Sequence, residues 1–377
     1  MWTLISICRL LVISLRLIAL CDVAGASMCG CEHRYALLMD LYVANNGPQW
    51  TNNTGWSLTP NHCSVDWFGV TCSGGDIVSV TMNSNNLSGS LPSSWWNMTR
   101  LVDLELYANR LNGTLPSSWS AMSSLQTLLL LSNNLSGTLP SSWFSVTTLK
   151  KVYLYDNSIS GTLPVSWSAM TRMENLRLYR NSLSGTLPGS WSAMTILSNL
   201  QLYGNNFSGS LPPEWSSMTQ ITTLALYNND LSGTLPGSWS SMTMLSNFQL
   251  YGNNFAGDLP TEWSSMTQIL TLDLNGNILN GTLPASWSAM TRMISLSLYS
   301  NSITGTLPPE WSSMVQMTTL AVHYNMLTGT LPGAWSAMTK LSTLYLQTNS
   351  LTGSLPAAWS AMSTLQTLYL SSNSLSG

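Results

Sequence analysis

The 377-residue sequence predicts an α/β repeat solenoid, and three observations carry that expectation. The dipeptide Leu-Pro recurs every 24 residues, from Leu91 and Leu115 through to Leu355, with no insertion or deletion between copies. An LxL pair flanked by polar residues, such as Leu104 and Leu106, stands ahead of each copy from Leu115 onward. An asparagine recurs on the same period, from Asn85 and Asn109 to Asn373.

The unit reads approximately LxxLxLxxNxLSGTLPxxWSxMTx. Its period lies within the range of leucine-rich repeats. Each column has a physical reason. The LxL pair alternates with polar neighbours, which predicts a short strand with one face inward. Stacked units then pair their strands into a concave parallel sheet, at about 4.8 Å per strand. After the strand the backbone turns inside the core, away from water. A side-chain amide both donates and accepts there, so the Asn column satisfies those backbone groups. The glycine four residues on, such as Gly113, suits a tight bend. The proline fixes φ and cannot donate to a ladder, which predicts an irregular or 3-10 convex side. Tryptophan follows each of the twelve Leu-Pro leucines by four residues, from Trp95 and Trp119 to Trp359. Methionine follows three residues later in eleven units, with Val146 in the other. An aromatic binding stripe is one reading of this column. A stacked core is the preferred one, because these positions take the place of inward leucines, and methionine fills gaps around large rings.

Only 7% of the residues are charged, where soluble domains carry roughly 25%. The formal net charge of -3 gives no electrostatic case for nucleic acid or an anionic membrane. The apolar run Leu10–Leu20 with Ala24-Gly25-Ala26 reads as a secretory signal over residues 1–26. Residues 27–76 follow as a cysteine-bearing N-terminal cap, and 77–377 as the repeat array. No later run approaches the roughly 20 apolar residues of a membrane span. Removing the signal takes Cys8 and Cys21 and leaves Cys29, Cys31, Cys63 and Cys72, an even number that argues for disulfides in an exported chain. Their spacing, and that of His33 and His62, does not suit zinc. Tyr35–Ala44 is apolar at helical spacing. Glycosylation sequons stand at Asn52, Asn86, Asn97, Asn112, Asn134, Asn206 and Asn280.

No catalytic constellation appears. His323 is the one histidine in the array and has no placed nucleophile, and the carboxylates are scattered singly. The sequence therefore predicts a binding protein without cofactor or metal. Three columns per repeat point outward on the concave sheet. The last of them is tyrosine at Tyr107, Tyr155, Tyr179, Tyr203, Tyr227, Tyr251 and Tyr299. Tyrosine suits interfaces, and a duplicated ladder that braces neighbouring strands is the other reading. Basic residues concentrate between 150 and 180. Lys151, Tyr153, Tyr155, Arg177, Tyr179 and Arg180 are expected to form one concave patch on two adjacent strands, with Asp156 and Glu174 near enough to neutralise it. Together with Tyr203, Tyr227 and Tyr251 they are the candidate ligand-binding residues, since arginine beside tyrosine is a pairing that interface hot spots favour.

The unit LSGTLPxxWSxMTxLxxLxLxxN, with Thr114-Leu115-Pro116, Trp119 and Met122 as one example, resembles the promastigote surface antigen family of Leishmania and related kinetoplastids over roughly residues 77 to 377. The run from Cys63 to Cys72, with Trp67, Gly69 and Val70, is similar to the N-terminal cap of plant-type leucine-rich-repeat ectodomains. That similarity implies a Cys63–Cys72 disulfide and a Trp67 that covers the first repeat. The family resemblance implies a surface glycoprotein, often lipid-anchored, that binds an extracellular protein or glycan. A receptor ectodomain, or a coat protein without a single ligand, are the alternatives. The family's cysteine-bearing C-terminal cap, Ser/Thr stalk and hydrophobic tail are missing before Gly377, so a truncated chain, met by the membrane only through an absent anchor, is the expectation.

Overall fold

A computed structural model describes residues 34–56 and 67–376. The expected signal, Cys29, Cys31 and Cys63 lie outside the described residues.

The polypeptide winds one turn per 24 residues. Twelve three-residue strands, from Asp103–Glu105 to Thr367–Tyr369, line up in a parallel sheet. Each step pairs residues 24 apart, as in Asn199↔Thr223 and Leu200↔Leu224, and the register does not slip. The inward leucines, such as Leu104, Leu200 and Leu296, are fully buried. A period of two places the flanking residues on the other face, so one face of this sheet is core and the other is open.

The convex side is partly as expected. A five-residue 3-10 helix follows each proline, for example Ser117–Ala121 after Pro116 and Pro213–Ser217 after Pro212. Its third residue is the tryptophan, buried in every repeat. The core reading of that column is therefore correct. Neighbouring indoles stack, with ring centroids 6.2 Å apart between Trp143 and Trp167. The sequence reading missed two features. Each indole N–H donates to the proline carbonyl of the preceding turn, as from Trp215 to Pro188 at 2.9 Å. The Leu-Ser-Gly stretch is also more regular than expected. It forms a second parallel sheet of six strands between Ser160–Thr162 and Ile278–Leu279, with further short pairings on either side. Glycine is required where these strands pack. Gly161 has φ +80°, and a Cβ there would lie 2.8 Å from Thr138 Cγ2.

The Asn column links turns as its chemistry predicts. Asn205 Nδ2 donates to Leu202 O at 3.0 Å and to Leu178 O of the preceding turn at 3.1 Å, while its Oδ1 accepts from Leu183 N at 3.0 Å. One amide thereby ties two turns together.

The first turn is covered by helix α1 (Tyr35–Ala44), which buries Leu38, Met39, Leu41 and Tyr42. Trp95 has no earlier repeat, and its indole N–H donates to Leu37 O in α1 at 2.7 Å instead. Asn45 Nδ2 donates to Ser90 O at 3.0 Å. Strand β1 (Val70–Ser73) turns back through Gly74 and Gly75 onto β2 (Asp76–Thr81) as an antiparallel pair, and β2 starts the parallel array against Asp103–Glu105. Trp67, expected to cover the first repeat, packs half-buried against the core. Its rings meet Tyr35 at 5.7 Å and Trp56 at 5.5 Å, inside an aromatic cluster that also holds Tyr42 and Trp50. Cys72 is disulfide-bonded in β1.

Candidate ligand-binding face

The open face of the main sheet has three outward columns, at the first and third residues of each strand and at the second residue after it. Register fixes their neighbours. Lys151 lies across from Asn175, and Tyr153 lies across from Arg177. The Arg177 guanidinium sits over the Tyr153 ring, 4.5 Å from its centroid. A cation held against an aromatic face gains electrostatic attraction from the ring's negative face.

Tyr155, Tyr179, Tyr203, Tyr227 and Tyr251 form one continuous stack, with successive centroids 4.1, 4.2, 4.1 and 4.2 Å apart. Both readings of this column meet here. The rings brace consecutive strands, and their hydroxyl edges remain on the open side. Burial raises the Tyr179 phenol well above its ordinary range, helped by its hydrogen bond to Tyr155 and the neighbouring phenols. Tyr227 is raised for the same reasons. Tyr107 stands apart from the stack, because Leu131 occupies the intervening turn. Tyr299 is separated from Tyr251 by Asn275, and it stacks on His323 at 4.5 Å.

The expected six-residue patch is assembled in part. Tyr153, Tyr155, Arg177 and Tyr179 come together, and Lys151 is exposed at the near edge. Arg180 is not a strand residue. It occupies the following turn at φ +51° and pairs with Asp156 of the preceding turn at 3.6 Å, both side chains exposed. Of the two acids expected nearby, Asp156 thus neutralises Arg180 and leaves Arg177 without a carboxylate among the described residues.

Sequence reasoning passed over five further residues of this face. Asp273 follows Arg177 in the same column, four strands on, through Gln201, Ala225 and Gln249. Its Oδ1 accepts from Asn275 Nδ2, and burial raises its carboxyl above the usual range against that hydrogen bond. His323 is flanked by Tyr299, Tyr324 and Tyr345, and burial lowers its pKa. Several polar atoms on this face are buried without a hydrogen-bond partner among the described residues: Arg177 Nε, Asn199 Oδ1, Asn247 Oδ1, His323 Nδ1 and Gln347 Oε1. Buried polar atoms in native proteins are nearly always paired, so this concentration on one face is unusual. The signal for Asp273 was available in the sequence, as the sole carboxylate in an outward column between Arg177 and Tyr299.

The sequons divide by exposure. Asn97, Asn112, Asn134, Asn206 and Asn280 are exposed, and Asn52 and Asn86 are half-buried. Asn86 Nδ2, the atom a glycan would occupy, donates to Gln49 O at 2.9 Å. Among the described residues no group of three or more His, Cys, Asp or Glu could hold a metal ion. No helix there is long and apolar enough to cross a membrane.

Family models described as leucine rich repeat match residues 315–375, 197–218 and 292–314. No curated protein matches the chain in sequence. Solved structures do. The PEPR1–AtPEP1 complex superposes with a TM-score of 0.87 at 28% identity, over 92% of this chain and 49% of that one. The Arabidopsis receptor kinase HAESA, in complex with the peptide hormone IDA and the co-receptor SERK1, gives 0.74 at 28% identity over 91% and 62%. A Leptospira interrogans leucine-rich-repeat protein gives 0.61 at 27% identity over 78% of each chain. This chain thus spans about half the length of the first of these and under two thirds of the second. The architecture and these likenesses agree: the fold is a leucine-rich-repeat solenoid, with a concave parallel sheet and a convex side of 3-10 turns.

Proposed function

We propose that this chain is an extracellular, surface-displayed protein that binds a protein partner through its concave face. One observation carries the reading: the tyrosine stack, the unneutralised Arg177 and five buried polar atoms without partners among the described residues lie on that face. Tyrosine and arginine are the residues that dominate protein interfaces. The stack also favours a protein over a glycan. Rings 4.1–4.2 Å apart have spent their faces on each other, and only edges and hydroxyls remain for a ligand.

Three further features support this reading. The exposed sequons Asn112 and Asn206 lie away from the concave face, Asn112 in the strand pair Ser88–Ser90 with Arg110–Asn112 and Asn206 in the second sheet, so glycans there leave the face open and add solubility to a charge-poor chain. The apolar leader, the expected Cys63–Cys72 bond and the surface-antigen resemblance all suit an exported protein. PEPR1 and HAESA are described in complexes with AtPEP1 and with a peptide hormone and co-receptor, which favours a receptor ectodomain as the second reading. The roles share one face and differ in what lies beyond this chain.

The test is a comparison of two proteins, native and Arg177→Ala/Tyr179→Ala, as baits for proximity labelling on the cell surface. A partner labelled by the native protein and lost from the variant supports the reading. A partner labelled equally by both sinks it.

A further inference from the structure

Building on that reading, we infer that the partner presents an extended peptide segment with an acidic side chain at one end and a basic side chain about five or six residues along. Arg177 and Asp273 are the two charges in the central outward column between Tyr153 and Tyr299. Neither has an oppositely charged neighbour within 4 Å among the described residues. The four strand steps between them, at about 4.8 Å each, make roughly 19 Å. That distance exceeds the screening length of physiological salt, about 8 Å, so the two charges do not compensate each other. A half-buried charge without a counter-charge is costly, and a ligand that supplies both counter-charges relieves both.

The surface between them is suited to an extended chain. Gln201, Ala225 and Gln249 form the floor, with Ala225 buried. Tyr203, Tyr227 and Tyr251 run alongside with their hydroxyl edges, and Asn199 Oδ1 and Asn247 Oδ1 lack partners on the other side. An extended peptide advances about 3.3 Å per residue, so roughly 19 Å corresponds to five or six residues. Lys151 adds positive charge at the Arg177 end. The opposite direction from Arg177 leads to Glu105, three strands away. Tyr153 closes that route, because its ring is held under the guanidinium.

A random twelve-residue peptide library displayed on phage tests this directly, with the whole chain as bait. Peptides that carry Asp or Glu and, five or six positions away, Lys or Arg are expected to be enriched. Against Asp273→Asn the basic preference should disappear, and against Arg177→Gln the acidic one. Glu105→Gln should leave both unchanged. Measured on one enriched synthetic peptide, Asp273→Asn should weaken binding about tenfold or more, as loss of a hot-spot contact does. Enrichment without that charge spacing, or a set unchanged by Asp273→Asn, overturns the inference while leaving concave-face binding intact. An absence of any enriched peptide overturns it as well, and the concave-face reading is then judged by the labelling comparison above.

Discussion

Arg177 rests on the ring of Tyr153, its cross-strand partner, and this contact holds a concave arginine that, among the described residues, no carboxylate neutralises. The contact positions the cation more than it stabilises the fold. A half-exposed cation–π pair contributes about 0.5–1 kcal/mol. Arg177→Ala and Tyr153→Leu should therefore each lower stability by no more than about 1 kcal/mol, with a coupling of similar size in a double-mutant cycle. Urea melts of the four proteins measure this. A loss several times larger would mean that Arg177 serves the core, and its effect on binding would then lose its meaning.

The Trp column bears much of the stability. Trp215→Phe keeps most of the buried ring but leaves the Pro188 carbonyl without the indole N–H. That carbonyl keeps the Trp191 N–H at 3.1 Å, so the lost bond costs about 0.5–1.5 kcal/mol, and the smaller ring adds a cavity. Stability from urea unfolding should fall accordingly, by about 1–3 kcal/mol at unchanged slope. A change within about 0.5 kcal/mol, the range of ordinary surface substitutions, would refute the hydrogen bond's role.

Asn205→Ala should be at least as damaging. It leaves Leu183 N without its acceptor and removes one donor each from Leu178 O and Leu202 O, which keep Asn181 Nδ2 and Asn229 Nδ2. An orphaned buried N–H costs about 1–3 kcal/mol and each further lost bond about 0.5–1.5 kcal/mol, so the loss should be about 2–4 kcal/mol. Asn205→Asp should not rescue it, because an ionised carboxylate only accepts. Rescue by Asp would show that the acceptor alone matters.

The tyrosine stack makes an alkaline prediction. Tyr179 and Tyr227 have phenols raised by burial first and by neighbouring phenols second. In the unfolded chain they ionise near pH 10. The unfolded state therefore loses protons first as pH rises. The stack's contribution is fully present below about pH 10 and declines above it. An ultraviolet titration of tyrosinate should leave these two phenols neutral well past pH 10, until the protein unfolds. Ionisation of every tyrosine near pH 10 in the folded protein would contradict the stacked geometry.

Glycan occupancy should follow exposure. Asn97, Asn112, Asn134, Asn206 and Asn280 are expected to carry sugar in the exported protein, and Asn86 to stay bare because its Nδ2 is engaged by Gln49 O. Peptide mapping after glycosidase in heavy-oxygen water reads this residue by residue. A fully occupied Asn86 would show that the Gln49 contact does not form before glycosylation.

Most of the fold was legible in the sequence because the repeat states each rule in every turn. A leucine at Leu200 is one observation, but the same leucine in register at Leu176 and Leu224 forces a parallel sheet. The second sheet was less legible. Its strands are only two to five residues long, and most of them contain Gly, which is depleted in strands. What assembles them is the close packing that Gly161 and its equivalents allow. The indole-to-proline bond was hidden for a similar reason. It joins residues 27 apart, a distance that no local pattern announces. On the concave face, columns placed Tyr155, Tyr179 and Arg177 correctly. The turn was read less well, and Arg180 was assigned to the strand although its left-handed backbone sends it to Asp156.

The measurement that bears most directly on concave-face binding is the affinity of the labelled partner for three variants in parallel. Arg177→Ala/Tyr179→Ala changes the concave sheet, Glu262→Ala the convex 3-10 turns, and Asn112→Gln the short strand pair Ser88–Ser90 with Arg110–Asn112. The account predicts about a hundredfold or greater loss for the first, the scale of a hot-spot pair, and no change for the other two. Retained affinity in the first, with loss at Glu262 or Asn112, would place the partner on another face and contradict it.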